Sequence, residues 1–132
     1  MTLATLIERL EKTQGPMRDL DALIAIEMGV NPGYQGDGVW DCPRYTSSVD
    51  AALTLMQADL DFGFNMDCES VHGGWCGYVW LDHPTNRSSF VRTRRHETRA
   101  GMMADLPRVI CIAALKGLRA IKVRQVAEAR SA

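Results

Sequence analysis

Apolar residues recur along this chain with a helical period in four stretches, and with an alternating period between the third and the fourth. In each helical stretch they lie three or four positions apart, which places them on one face of a helix. The predicted helices cover about 2–12, 17–28, 49–60 and 106–129. Gly15 and Pro16 separate the first two, and we expect Asp105 to cap the last one after a short linker at 98–104.

The alternating stretch, DFGFNMDCESVHGGWCGYVWLDH at 61–83, predicts a long β-hairpin. Gly73 and Gly74 suit the two positive-φ positions of a type I′ turn, which makes His72 the partner of Trp75. In this register one face of the hairpin is apolar, and the other mixes carboxylates with large aromatic side chains.

A third strand is predicted at 88–95, so that the sheet carries large apolar residues on both faces. Such a sheet needs cover on both sides, which the helices before and after it can provide. We therefore predict an α+β protein, an α–β–α sandwich with a three-stranded antiparallel sheet between helices. The 132 residues are enough for one domain, with 1–15 as an N-terminal helix extension and 16–124 as the sandwich core.

Charge is distributed unevenly, although the formal net charge of the chain is −1. Residues 1–86 hold 13 acidic and 4 basic side chains, whereas 87–132 hold 3 acidic and 11 basic ones. We expect the two parts to attract each other and a basic face to remain, which favours an anionic partner. The chain has no run of 18 apolar residues and no signal pattern at its start, which predicts a cytoplasmic protein with no membrane partner.

The loop at 30–45 and the helix start that follows it contain candidate ligand contacts. Trp40 and Tyr45 could stack on a base, although Trp40 could equally pin the loop to the core. The hydroxyl and N–H groups at the helix start suit either an anion site or plain capping. The residues of that helix start are Thr46, Ser47 and Ser48.

A cluster of arginines and two hairpin aromatics provide the other candidate contacts. Five arginines fall within thirteen residues, and Arg92, Arg94 and Arg95 belong to the predicted third strand. They can hold phosphate through planar, bidentate contacts, or they can form a charged edge strand that discourages pairing with another sheet. Tyr78 and Trp80 are further candidates because we expect them on the mixed face of the hairpin.

No motif in the chain indicates catalysis or metal binding. Cys68, His72 and Cys76 lie at four-residue intervals, but strand alternation points the two cysteines to opposite faces. We therefore expect reduced thiols, no metal and no cofactor. The sequence contains no GxSxG, HExxH, P-loop or GxGxxG motif, which predicts a protein that is not an enzyme.

Two segments, PRYTSSVDAALTLM at 43–56 and LPRVICIAALKGL at 106–118, flank the tryptophan-containing hairpin. In this combination the chain resembles the phage ABA sandwich domain family of small phage and prophage proteins, over about 20–120. The family pattern has leucine where this chain has Val49, and it has no counterpart of the helix in 1–15. The resemblance implies the αβα fold and a viral or prophage origin, and it carries no catalytic residues.

These observations favour a phage-encoded, non-enzymatic binding protein that acts in the host cytoplasm. Its expected partner is a host or phage protein, or a second copy of the chain, because Trp40, Tyr78 and Trp80 are expected at the surface and the last helix ends in an amphipathic basic segment. The alternative is capture of a small anionic ligand, such as a nucleotide signal, in a counter-defence role. Weak nucleic-acid binding is a third hypothesis, for which affinity should fall steeply with salt.

Overall fold

A computed structural model describes residues 2–13, 17–29, 42–57, 63–82 and 88–131 of the chain. The helices are α1 (Leu3–Lys12), α2 (Arg18–Glu27), α3 (Val49–Gln57) and α4 (Arg99–Ser131). The strands are β1 (Gly63–Val71), β2 (Gly74–Asp82) and β3 (Ser88–Arg92). They form one antiparallel sheet in the order β1-β2-β3. The α+β class and the three-stranded antiparallel sheet packed against helices are confirmed.

Helices α1 and α3 begin where the sequence places a hydroxyl side chain at the helix start. Thr2 Oγ1 accepts a hydrogen bond from the backbone N–H of Thr5 (3.2 Å), and Ser48 Oγ accepts one from Ala51 (3.2 Å). Helix α1 then buries its predicted apolar stripe in the same cluster as α4. The buried side chains of this stripe are Leu6, Ile7 and Leu10.

The hairpin turn lies one residue earlier than the glycine pair predicted. His72 and Gly73 are the loop residues, with φ of 47° and 77°, and Val71 pairs with Gly74. Both φ values are positive, as a type I′ turn requires, and histidine adopts this region more readily than most residues that carry a side chain. Because the turn is one residue earlier, each β1 residue pairs with a β2 residue two positions before the predicted one. A shift of two residues leaves every side chain on its predicted face of the sheet.

Gly74, the first residue of β2, lies where there is no room for a side chain. A Cβ atom at this position would lie 2.6 Å from Arg95 Nε and 3.0 Å from the carbonyl oxygen of His96. The Arg95 guanidinium donates a hydrogen bond to the carbonyl of His72 in the turn. The backbones of Trp75 and His96 exchange two hydrogen bonds, 2.6 and 2.9 Å long. These contacts extend the sheet pairing up to the turn and explain its position.

Helix α4 packs against β2 and β3, and helices α1 and α3 pack in turn against α4. Val79 and Val91 of the sheet contribute to the buried cluster that α4 shares. A Cβ atom at Gly77 would lie 2.7 Å from Leu106 Cδ2, which shows how closely the helix approaches β2. The core therefore lies on the α4 side of the sheet.

The order of the layers differs from the expected sandwich. Among the described residues, α1 and α3 lie against α4, while Phe90 on the far face of the sheet remains 48% exposed. The reason is the composition of α4, whose residues from Leu106 to Leu115 are all buried. A helix that is apolar nearly all round can contact the sheet on one side and other helices on another, which gives the order sheet, α4, α1 and α3.

Helix α4 begins at Arg99, whereas we expected a linker at 98–104 and a cap at Asp105. Thr98 starts the helix instead, because its Oγ1 accepts a hydrogen bond from Gly101 N (3.0 Å). Met102 is fully buried, so the part of the helix upstream of Pro107 also packs against the rest of the protein. Tertiary packing here outweighs the preference of proline for a first helical turn.

In the described ranges, no helix has both the length and the apolar character needed to cross a membrane.

Candidate binding site on the open sheet face

Three aromatic side chains form a cluster on the sheet face opposite α4, which we call the open face. The ring centroids of Tyr78 and Trp80 are 5.9 Å apart, those of Tyr78 and Phe90 5.6 Å, and those of Trp80 and Phe90 5.3 Å. Trp80 and Phe90 are cross-strand partners, and Tyr78 lies two residues before Trp80 on β2. Strand alternation brings all three onto one face, where Tyr78 stacks on both other rings and Trp80 is tilted by 48° against Phe90, while all three remain accessible.

Charged side chains flank this aromatic cluster with opposite signs on its two sides. Tyr78 pairs with Asp67 on β1 and with Arg92 on β3, so that the three residues form one row across the sheet. Glu69 also lies on β1, on the same face as Asp67, and all three charged side chains are exposed. The open face is therefore acidic along β1, aromatic along β2 and basic at Arg92 on β3.

Glu69 holds the phenol of Tyr78 in place. The Tyr78 hydroxyl donates a hydrogen bond of 2.5 Å to Glu69 Oε1. This bond to the protonated phenol raises the pKa of Tyr78 to about 12. The hydroxyl is therefore neutral at physiological pH, and the tyrosine ring serves as a fixed stacking surface.

A second surface, which we call the basic groove, runs along the β3 edge between the sheet, α1 and α4. Its volume is about 480 Å³. The cationic residues that line it are Arg92, Arg94, Arg95, Arg108 and Lys116, and Glu11 is the acidic one. The groove therefore carries an excess of positive charge beside the Tyr78 ring, which also lines it.

Two of the arginines predicted to bind phosphate, Arg94 and Arg95, make contacts within the protein. Arg94 donates hydrogen bonds to the carbonyl oxygens of Glu11 (3.0 Å) and Thr13 (3.2 Å), at the end of α1. A cation at a helix C-terminus satisfies free carbonyl groups and complements the helix dipole. Arg95 bonds the hairpin turn at His72.

The cations that remain available to a ligand are Arg92 and Lys116. Within the described part of the chain, neither has a hydrogen bond or an ion pair, and both line the groove. Lys116 was not among the predicted site residues, although it lies four residues after Ile112 and eight after Arg108, on one face of α4. That spacing is the sequence signal that could have identified it.

A buried carboxylate under the groove connects the segment that follows β3 with α4 and α1. Asp105 accepts hydrogen bonds from Arg108 Nε (2.7 Å) and Nη2 (3.1 Å) and lies 3.1 Å from His96 Nε2. It also accepts one from the backbone N–H of Arg94 (3.2 Å), and Arg108 Nη1 donates to the carbonyl of Leu10 (3.1 Å). Burial alone would raise the pKa of Asp105, but the bonds from Arg108 and His96 outweigh it and lower that pKa.

The described candidates at 45–48 make contacts within the protein. Tyr45 is 2% exposed and belongs to the core, and burial raises its pKa. Thr46 is buried, and its hydroxyl lies 2.8 Å from Asp21 Oδ1. Ser48 caps α3, and Ser47 Oγ donates a weak bond of 3.5 Å to the carbonyl of Arg44. Trp40 lies outside the described residues.

All four cysteines are free thiols. Cys68 is exposed, whereas Cys42, Cys76 and Cys111 are buried. Cys68 pairs with Gly77, so that Cys68 and Cys76 point to opposite faces of the sheet as predicted. Burial raises the pKa of Cys111, whose Sγ lies 3.2 Å from the carbonyl oxygen of Tyr45. Among the described residues, no three His, Cys, Asp or Glu side chains are grouped closely enough to hold a metal ion.

Comparison with family models, with curated proteins and with solved structures finds no match to this chain. The resemblance to the phage ABA sandwich domain family therefore stays a prediction from the motifs at 43–56 and 106–118.

Proposed function

We propose that this chain is a small, non-enzymatic, phage-encoded binding protein that acts in the host cytoplasm by docking its open face onto another protein. The observation that supports this proposal is the accessible cluster of Tyr78, Trp80 and Phe90. Aromatic residues are enriched at protein interfaces, where they supply large contact areas at little cost in side-chain entropy.

The composition of the open face also favours protein docking. Its centre is aromatic and rigid, since Glu69 fixes Tyr78 and the rings contact one another. Its margins carry Asp67 and Arg92, both exposed. An apolar centre with a charged rim is the usual arrangement of a protein interface, in which the centre provides affinity and the rim provides orientation.

We propose that the protein is not an enzyme because its paired acid and base side chains have structural partners. Among the described residues, the carboxylate that contacts a histidine is Asp105, with His96, and it already accepts hydrogen bonds from Arg108 and from the backbone of Arg94. These contacts are those of a structural junction. The phage origin is proposed from the motif resemblance alone.

Capture experiments with a charged substitution in the aromatic cluster test the docking proposal. Phe90→Asp places a charge in the apolar centre, and Val126→Asp provides a control at another exposed apolar position, on α4. We expect the tagged wild-type protein and the control to retain the same bound protein, host-derived or a second copy, and Phe90→Asp to lose it. Equal capture by all three proteins would contradict the use of the open face.

Capture of a small anion is the second candidate function, and the basic groove supports it. Arg92 and Lys116 are available there for a phosphate, and Tyr78 offers a ring for stacking. A nucleotide at about 100 times its dissociation constant should stabilise the protein by roughly 2.7 kcal/mol. We would screen nucleotides, cyclic dinucleotides and short oligonucleotides by thermal unfolding at two salt concentrations, with Lys116→Ala as the test variant. A shift that Lys116→Ala retains in full would exclude this site, and a shift seen only with oligonucleotides at low salt would indicate nucleic-acid binding.

A further inference from the structure

The open face is complementary to itself. Asp67, Tyr78 and Arg92 occupy one row across the three strands, with the acid on one side and the base on the other. We propose that the partner of this face is a second copy of the chain, docked face to face about a twofold axis parallel to β2. This inference rests on the docking function proposed above and names its partner.

The charge pattern selects that axis. Rotation by 180° about a line parallel to the strands exchanges the two sides of the sheet, so that β1 of one copy lies over β3 of the other. Asp67 of each copy then faces Arg92 of the other copy in the same row, which makes two equivalent ion pairs. The aromatic strand β2 lies over its own counterpart, and Tyr78 and Trp80 supply the apolar centre.

The other symmetric arrangements bring like charges together. A twofold axis in the sheet plane but perpendicular to the strands places β1 over β1, so that Asp67 and Glu69 approach the same residues of the second copy. Pairing of two β1 edges in one continuous sheet has the same effect, because these carboxylates then become cross-strand neighbours. Acidic residues on an edge strand are a recognised means of preventing such pairing.

The size of the face indicates how strong the association should be. The paired part of the sheet is three strands wide, at about 4.8 Å per strand, and five residues long, at about 3.3 Å per residue. Its area is therefore roughly 240 Å². This is well below the 800 Å² or so that each partner contributes to a standard interface. We therefore expect a weak, reversible dimer whose population rises with protein concentration.

A charge-exchange experiment tests the arrangement by sedimentation equilibrium between about 10 µM and about 1 mM. We expect the wild type to dimerise in this range. Asp67→Arg alone sets two cations against each other across the interface, and Arg92→Asp alone sets two carboxylates against each other. Each variant should therefore associate at least about tenfold more weakly than the wild type. An equimolar mixture of the two variants also contains heterodimers. In each heterodimer, one of the two 67–92 contacts joins the two introduced residues, which attract each other, and the other contact joins the two native residues.

The mixture is therefore expected to associate more strongly than either variant alone. In the heterodimer, the arginine introduced at position 67 of one copy faces the aspartate introduced at position 92 of the other, which restores one ion pair with its sign reversed. The remaining contact joins the native Arg92 of the first copy to the native Asp67 of the second, as in the wild type. Both ion pairs are present, so the heterodimer should be about as stable as the wild-type dimer, although only encounters between unlike variants form it.

Three controls make the experiment decisive. Glu97→Arg reverses an exposed acid outside the sheet pairing and should leave dimerisation unchanged. Circular dichroism should find both single variants folded, since residues 67 and 92 are exposed. Cys68 lies on the face opposite the aromatic cluster, so that mild oxidation should not cross-link the face-to-face dimer. Rapid disulfide formation through Cys68 would instead indicate pairing of the β1 edges and overturn the proposal.

A wild type that stays monomeric throughout this range would overturn self-docking, as would a mixture that fails to restore association after each variant has lost it. The docking function has a separate outcome. If the wild type is monomeric but captures a different protein that Phe90→Asp releases, the open face is a docking site for that protein. If the wild type is monomeric and captures no protein, both proposals are wrong.

Discussion

Replacing Asp105 with asparagine tests whether the buried junction holds the segment after β3, α4 and α1 together. The carboxylate uses both oxygens, with Arg108 bonded to each of them at 2.7 and 3.1 Å. Asparagine keeps the volume but removes the charge and replaces one acceptor with a donor, which faces the donors of Arg108. Asp105→Asn therefore leaves a buried guanidinium without its counter-ion.

The expected loss is large because the pair is buried. Removing one partner of a buried ion pair destabilises a protein by about 3–5 kcal/mol. A chain of 132 residues has an unfolding entropy of roughly 0.28 kcal/mol/K at its midpoint, from about 2.1 cal/mol/K per residue. The expected fall in melting temperature for Asp105→Asn is therefore about 11–18 °C.

The same change should remove part of the acid sensitivity of the protein. The pKa of Asp105 is lower in the folded state than in the unfolded chain, so its ionisation contributes stability above the unfolded pKa of about 4. That contribution is lost as the pH falls through the lower, folded pKa. The difference in unfolding free energy between wild type and Asp105→Asn should therefore be constant near neutral pH and shrink below about pH 4.

Thermal and urea unfolding at several pH values measure both effects, and the exposed pair of Asp19 with Arg9 supplies the control. Asp19 Oδ2 lies 3.2 Å from Arg9 Nη2, and both side chains are substantially exposed. Asp19→Asn should therefore cost no more than about 1 kcal/mol. If Asp105→Asn costs as little as Asp19→Asn, the junction does not stabilise the fold and our reasoning is refuted.

Three further predictions concern close contacts and the hairpin. Gly77→Ala should lower the free energy of unfolding by about 1–3 kcal/mol, because the new methyl group would meet Leu106; an unchanged urea midpoint would contradict the close approach of α4. His72→Gly should raise it by up to about 1 kcal/mol by relieving the positive φ, and a loss would mean that the histidine side chain stabilises the turn. Glu69→Ala should lower the pKa of Tyr78 from about 12 towards its ordinary value of about 10, measured by ultraviolet titration, and an unchanged pKa would exclude the bond between them.

Much of the fold follows from local patterns. The apolar stripe of α1 and the alternation of the hairpin identify the element type and the buried side without knowledge of the partner. Placing the turn at Gly73 and Gly74, one residue too late, does not change the predicted faces. The pairing then differs by two residues, which is the period at which side chains return to the same face of a strand.

The start of α4 could not be predicted in the same way. Asp105 and Pro107 are typical of a helix N-terminus, and nothing local indicates that Met102 is buried. The acid instead pairs with Arg108 one turn later, a spacing that also occurs in exposed helix pairs. Only the tertiary contacts with the segment after β3 and with α1 distinguish a buried pair from an exposed one.

The candidate surfaces were predictable in composition but not in detail. Alternation places Phe90 and Arg92 on one face of β3, and the register with β2 then brings Phe90 against Trp80. Which arginine remains available depends on contacts far apart in the chain, such as that of Arg94 with the end of α1. Such contacts leave no periodic signal in the sequence.

Helix α4 has a consequence for the synthesis of the protein. It is the last of the described elements to be made, yet the sheet and helices α1 and α3 all pack against it. At about 5–20 residues per second, its 33 residues take the ribosome about 2–7 s. During that interval the apolar side chains of Val79 and Leu10 have been made but their cover has not. The nascent chain therefore passes through a stage in which chaperones can bind its future core.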